Sequence, residues 1–271
     1  MSNKRKMPKA KMILDVSFII NAHREGLLLL PALRSAFLAK QNCGAQGISV
    51  EIILVGDRID EITKSIIESH REDIEIIDYV DFGNLGFSRQ HAIALSSGNF
   101  LAFLDGDDVW QGTWPAKAFK HASTRDHEHC VFHTEVFAGY GTSFFLRHQI
   151  QTTDEIFHPL HLLATWHYCN NIFAHRSIFD KYPIQPYDHS EGYGSEDWHW
   201  SCETLAAGVA RAYVPDTVYF YRLDPLKPSL GALRGLVIKP TSLFQEKRIA
   251  RSYIDFTGIS DSDHDEELAT A

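Results

Sequence analysis

The chain has 271 residues, 44% of them apolar and 23% charged, which is enough to bury a substantial α/β core in one domain. A formal net charge of -9 and a pI of about 5.9 argue against a protein that grips nucleic-acid backbones with a broad basic face. No run reaches the roughly 18–20 apolar residues needed to span a bilayer. Cys43, Cys130, Cys169 and Cys202 are scattered without a CxxC pair, which argues against a zinc ribbon or disulfide scaffold and suits a reducing cytosol.

The N-terminal MSNKRKMPKAKM is basic, but the apolar run after it is broken by Asp15, Asn21, His23, Arg24 and Glu25, unlike a signal peptide. It reads either as a solvated tail or as a weak electrostatic tether to anionic lipid at the inner face of a membrane. Beyond it, β-branched runs at Val16–Ile20, Ile52–Val55, Ile74–Val80 and Phe100–Leu104 read as strands. They alternate with helical patterns at Leu27–Lys40, Glu61–His70 and Phe87–Ser97. That rhythm predicts βαβ units and a mainly parallel sheet, and the nearly continuous apolar runs predict strands covered on both faces. After Trp110 the rhythm loosens. Trp114–Ala122 reads as a helix, Val131–Phe137 as a strand, and Thr142–Pro159 as a variable insertion for which an antiparallel arrangement is one reading. Ile172–Ala174 reads as a short strand, and Asp197–Ala207 as a helix stopped by Gly208. Tyr213–Val214 and Val218–Tyr221 read as two late strands.

Two acidic clusters carry the chemistry. In FLAFLDGDDVW (100–110) a strand runs directly into Asp105, Asp107 and Asp108, three carboxylates in four residues. Ligands in open α/β sheets sit beyond the carboxyl ends of strands. Such crowding is resolved by a hard divalent cation with oxygen ligands, whose shell a nucleotide diphosphate can complete. The competing reading is a solvated acidic turn before a helix. The second cluster lies in EGYGSEDWHW (191–200), where Ser195 is a candidate helix cap. Glu196 and Asp197 are either candidate general bases or simple complements to the helix dipole. Trp198 reads as core, and Trp200 as core or as an acceptor platform.

The segment NLGFSRQHAIALSSGNFLAFLDGDDVW (84–110) resembles the core of glycosyltransferase family 2, in which an Arg-bearing helix leads through a Gly into a strand ending in a DXD motif. The resemblance extends over roughly Asp15 to Arg222. It implies a GT-A fold at 15–225, between a basic flexible start (1–14) and a C-terminal helical extension (226–271) whose tail, SDSDHDEELATA, is acidic and mobile. It also implies inverting transfer from a nucleotide-sugar donor held through Mn²⁺ or Mg²⁺ to a saccharide or lipid-linked acceptor, with a cell-surface polysaccharide precursor as the common context. By position, Asp105 and Asp107 match the DXD carboxylates and Asp108 is a neighbouring candidate ligand. Asp197, then Glu196, match the acidic pair from which the base is drawn. VSFIINAHREG (16–26) matches the first strand and nucleotide loop, with Asn21, Ala22, His23 and Arg24 standing where the family has Pro-Thr-Tyr-Asn. Of the paired Asp that end the second strand only Asp57 is kept, as a pyrimidine N3–H acceptor for a UDP or dTDP donor, or else as a turn or helix-cap residue. Arg89 matches a nucleotide-contacting Arg that can touch the base or diphosphate, or lock Asp57. Asn170 and Asn171 lie in a segment near the sugar, where they either bond its hydroxyls or simply satisfy loop backbone, and Arg222, in YFYR (219–222), is a candidate for the diphosphate.

The fifteen histidines include His127, His129 and His133, whose spacing is a minor zinc candidate, whereas His121 and His127 read as surface residues. A nucleotidyltransferase would need a Gly-rich loop after the first strand, and a dinucleotide-binding dehydrogenase a GxGxxG; neither is present. A nucleotide-sugar-binding protein without turnover, or a sugar-phosphate nucleotidyltransferase despite the missing loop, remains the alternative.

Overall fold

In a computed structural model the described residues are 13–164, 168, 170–187, 189–223 and 236–245. The expectations for 1–12, and for most of the helical extension and tail at 226–271, fall outside them.

The first half follows the sequence reading closely. Strands β1 (Leu14–Ala22), β2 (Val50–Asp57), β3 (Ile76–Val80) and β4 (Gly98–Asp105) alternate with helices α1 (Leu29–Gly44), α2 (Glu61–Ser69) and α3 (Leu85–Leu95). They pair in the order β3-β2-β1-β4, all parallel, with Asn21 opposite both Val55 and Asp105. The centres of β1, β2 and β4 are apolar because both faces are covered, whereas edge strand β3 carries Asp78 and an exposed Tyr79. Phe18, Ile20, Leu54 and Leu104 pack under α1 and α2, while Ile19, Ile53, Leu101 and Phe103 pack on the opposite face beneath α3. Burying each such side chain is worth about 1.5–3 kcal/mol.

The second half is mixed. Its elements are β5 (Val109–Trp110), α4 (Trp114–Ser123), β6 (Cys130–Gly141), β7 (Phe145–His148), α5 (His161–Ala164), β8 (Phe173–His175), α6 (Arg176–Lys181), α7 (Glu196–Ala206) and β9 (Ala210–Leu223). The nine-stranded sheet continues β4-β8-β6-β9-β5, with β7 paired to β6. β8 is antiparallel to both β4 and β6, so β6 regains the direction of β4, and β9 runs parallel to β6. Six of the nine strands (β1–β4, β6 and β9) therefore point one way, and their carboxyl ends share one edge.

The two late strands expected at Tyr213–Val214 and Val218–Tyr221 are one strand, β9. Pro215 and Asp216 interrupt the apolar pattern, but the ladder absorbs them as a bulge: Asp216 takes φ 55°, and the register against β6 shifts between Thr134 and Val136. Glu135 fills the gap by accepting from the Asp216 N–H at 2.6 Å and donating its own N–H to Thr217 Oγ1 at 3.0 Å. Gly208, at φ 87°, follows α7 as its stop. Ser195 precedes α7, but at φ 57° its side chain makes no capping hydrogen bond, so the expected cap is absent. Trp200 is core: it stacks on Phe179 at 5.1 Å and donates to the Tyr182 carbonyl at 2.6 Å. No helix among the described residues is long and apolar enough to cross a membrane.

At the edge away from the carboxyl ends, buried Glu51 ties three strands together. Its Oε1 accepts from Ser17 Oγ at 2.6 Å, Ser97 N at 2.5 Å and Ser97 Oγ at 2.8 Å. Glu51→Ala leaves these donors without their acceptor and is expected to lower the unfolding free energy by about 2–3 kcal/mol, measurable by urea denaturation.

Candidate active site

The shared carboxyl edge gathers Asn21–Glu25 after β1, Asp57 at the end of β2, Asp105–Asp108 after β4 and Arg222 near the end of β9. β8 runs the other way, so its start delivers Asn170 to the same edge, where Asn170 Nδ2 donates to Asp105 Oδ1 at 3.1 Å. Gly106 allows the DGD turn to close on β1. Its N–H donates to the Asn21 carbonyl at 2.9 Å, and a Cβ there would lie 2.9 Å from that oxygen and 3.2 Å from Glu25 Cδ.

One buried arginine joins the two acidic clusters. From α3, Arg89 NH2 reaches Asp105 Oδ1 at 3.0 Å while its NH1 bonds Glu196 Oε1 in the first turn of α7. Burial works against this charge, yet Asp105, Glu196 and Asp197 outweigh it and hold the guanidinium above its ordinary range. Arg89 does not lock Asp57; it bridges residues on opposite walls. Glu196 and Asp197 thus share one site with the DXD segment. Asp197 is half-buried, and burial first, then the neighbouring Glu196, push its carboxyl up to about 7 against the opposing pull of Arg89.

A second arginine serves the other DXD residue. Arg222 holds Asp107 Oδ2 through NH2 at 2.7 Å and Nε at 3.1 Å. Asp108 is fully buried, its Oδ1 accepting from Arg222 N at 2.8 Å and its Oδ2 from Tyr219 OH at 2.6 Å. With both oxygens anchoring β9, Asp108 is a structural residue here, and the expectation of a third metal ligand does not fit its surroundings.

Asp57 is likewise committed. Its Oδ1 takes the N–H groups of Phe82 and Gly83 at 2.9 Å each, and its Oδ2 takes Asn84 N at 3.1 Å and Ser88 Oγ at 2.9 Å. A carboxylate offers about four lone-pair positions, so the loop before α3 and Ser88 in its first turn saturate it. Reading a pyrimidine N3–H with this side chain would displace one of these donors. Nor is Asp57 the helix cap, which is Asp60, accepting from Thr63 N at 2.8 Å. His23 Nδ1 meets the Asp57 carbonyl, and Asn21 Nδ2 is buried without a partner. Asn171 is structural, accepting from Trp110 Nε1 and donating to Thr134 Oγ1, each at 3.1 Å.

Two site residues escaped the sequence reading. Glu25 lies beside the DXD turn; burial most of all, with Asp107 and Asp105 adding, raises it to about 7 against the hydrogen bond it accepts from His23 N. Its one sequence signal is an acid in the loop after the strand adjacent to β4. The Tyr187 hydroxyl is buried without a partner among the described residues, and burial, then the charges of Glu196 and Asp197, hold it above its ordinary range. The histidine expectation is revised. His133 is buried, stacks on Tyr168 and is driven down to about 3 by burial, and exposed His129 pairs with Asp126, so the two do not form a set with His127. His121 and His127 are half-buried rather than surface residues.

Residues 17–187 match the family model described as Glycosyl transferase family 2. No curated protein sequence matches the chain. Among solved structures, S. aureus TarS is similar at 16% identity and TM-score 0.62, over 92% of this chain and 45% of TarS. TarS 1–349 in complex with UDP is similar at 15% identity and TM-score 0.61, over 92% of this chain and 74% of that one. TarS 1–349 in complex with UDP-GlcNAc gives 15% and 0.60, over 95% and 71%. The chain thus spans under half the length of the longest of these relatives. The family match and the shared architecture place the chain in the GT-A fold.

Because Asp197 is raised to about 7 in the folded chain, the folded state keeps a proton that the unfolded state releases near pH 4. Stability from this group is full below about pH 4 and is lost as pH rises through about 7. Asp197→Asn is therefore expected to melt above wild type at about pH 8 and level with it at about pH 4, as scanning calorimetry across that range checks.

Proposed function

We propose, from the premise that the chain belongs to glycosyl transferase family 2, that it moves a sugar from a nucleotide diphosphate donor, UDP or dTDP linked, to an acceptor hydroxyl with inversion at the anomeric carbon. The observation that supports this reading is the Arg89 bridge between Asp105 and Glu196, which brings the two acidic clusters together.

Asp197 is the base in this reading. Glu196 is held by Arg89, whereas Asp197 takes part in no ion pair among the described residues. A carboxyl raised to about 7 pulls a proton harder than an ordinary Asp while still ionising near neutrality. As Asp197 takes the acceptor proton, the oxygen attacks the anomeric carbon from the face opposite the diphosphate, which leaves with the bonding pair. Glu196 and Arg89 act as positioning residues. Arg222, already beside Asp107, is placed to meet the diphosphate. With Asp57 saturated, base recognition falls to His23, Asn21 and backbone groups of the two loops that Asp57 joins.

Asp105 and Asp107 would hold Mn²⁺ or Mg²⁺. The fit is favourable: the donors are hard oxygens, and buried Asn170 Oδ1 has no partner beside Asp105. The ion, when bound, supplies positive charge to the departing diphosphate. TarS has been crystallised with UDP and with UDP-GlcNAc, so uridine diphosphate sugars are the first donors to test. The acceptor class is a saccharide or lipid-linked intermediate, such as a polysaccharide precursor. The buried free thiols of Cys43, Cys130 and Cys202 suit the cytoplasm as the compartment, with the basic N-terminal segment as a weak membrane tether.

Asp107→Ala is expected to abolish manganese-stimulated UDP binding by calorimetry; unchanged affinity would remove Asp107 from the donor site. Asp197→Asn is expected to keep UDP affinity while transfer falls by about 10²–10⁴, and wild-type kcat is expected to rise with pH along a limb near 7. Donor binding without transfer in the wild type would favour a binding protein instead.

A further inference from the structure

The edge of the sheet opposite the donor site carries a second cluster that the proposed reaction does not use. His175 ends β8 at the level of Phe100, near the start of β4. Five residues along β4 separate that level from Asp105, or about 16 Å at the rise of a strand. The 3₁₀ turn His127–His129, which leads into β6, folds against the same place. One ligand atom from each of His127, Glu128 and His175 lies within 4.8 Å of the other two. The two imidazole rings are 4.9 Å apart, and both lean on Phe100, at 5.5 Å and 5.2 Å.

We propose that His127, Glu128 and His175 form a transition-metal site suited to Zn²⁺, with its fourth position left to water, that clips the 127–129 turn to the start of α6. Two imidazoles with one carboxylate make a borderline donor set that suits Zn²⁺ better than the hard ions expected among Asp105 and Asp107. On a tetrahedral ion with bonds of about 2 Å, ligand atoms lie about 3.3 Å apart, so movements of about 1.5 Å or less complete the set. His175 is already oriented for this. Its Nδ1 lies 2.7 Å from Ser177 Oγ and 3.4 Å from Ser177 N; in the tautomer that donates the Nδ1 proton to the hydroxyl and gives up the longer bond from the amide, the Nε2 lone pair is left for a metal. Among the described residues, buried His127 Nδ1 has no hydrogen-bond partner, an unmet demand that two packed side chains do not explain. Glu128 is exposed and free to close over the ion.

The test uses the full chain, stripped with a chelator and titrated with Zn²⁺ by calorimetry, in an Asp105→Asn/Asp107→Asn background that removes the donor-side ligands. One Zn²⁺ per chain is expected. Co²⁺ in its place is expected to give visible d–d absorption, and Zn²⁺ to raise the Tm. His127→Ala is expected to abolish all three signals, and Glu128→Gln to weaken Zn²⁺ binding by about tenfold or more. His175 also caps α6, so Glu128→Gln, on the surface, decides the question should an imidazole variant fail to fold. Absence of Zn²⁺ binding in the double-Asn background, or affinity unchanged by Glu128→Gln, overturns the proposal. Neither result bears on transfer, which is assayed separately in the wild type.

Discussion

The Arg89 guanidinium sits among Glu25, Asp105, Asp107, Glu196 and Asp197. Five carboxylates brought this close repel one another, and their spacing is tolerable only where charge is matched. Arg89 holds Asp105 and Glu196, and Arg222 holds Asp107. The two acids in no ion pair among the described residues, Glu25 and Asp197, are the ones raised to about 7. Breaking a buried ion pair by removing one partner typically costs about 3–5 kcal/mol, so the arginines fix the cluster's geometry as well as its charge. Lysine at position 89 would offer a point charge without the planar fork that spans two carboxylates.

Both halves of each pair are visible in the sequence, but the pairing is not. Arg89 and Glu196 stand 107 residues apart, and Asp107 and Arg222 stand 115 apart. The acidic clusters could be read because each ends or begins a regular element whose signature is local. Their cations belong to a different strand or helix, and only the topology brings them in. Asp57 illustrates the opposite failure. Its position at a strand end suggests a ligand contact, yet the donors that saturate it come from the 82–84 loop, whose course no local pattern specifies, and from Ser88 in the first turn of α3.

The same contrast runs through the fold. Strands β1, β2 and β4 were legible because two covered faces demand nearly unbroken apolar runs, and edge strand β3 through its shorter β-branched run. β5 was not, because two residues cannot establish a period. β9 reads as two pieces because Pro215 and Asp216 break the pattern, and its continuity depends on Glu135 from the neighbouring strand. Where a long-range partner supplies what the local sequence withholds, local reading divides an element that the molecule keeps whole.

β8 is only three residues long, pairing through Phe100–His175, Leu101–Ala174 and Ala102–Phe173 on one side and through two residues of β6 on the other. Successive side chains on a strand alternate faces, so a slip of one position would turn every one of them over. Such a slip would withdraw the amide of Asn170 from Asp105 at one end and swing the imidazole of His175 away from His127 at the other. A span of about 10 Å thus acts as the alignment pin for both rims of the sheet, which makes its register the point of least tolerance for insertions or deletions in the chain.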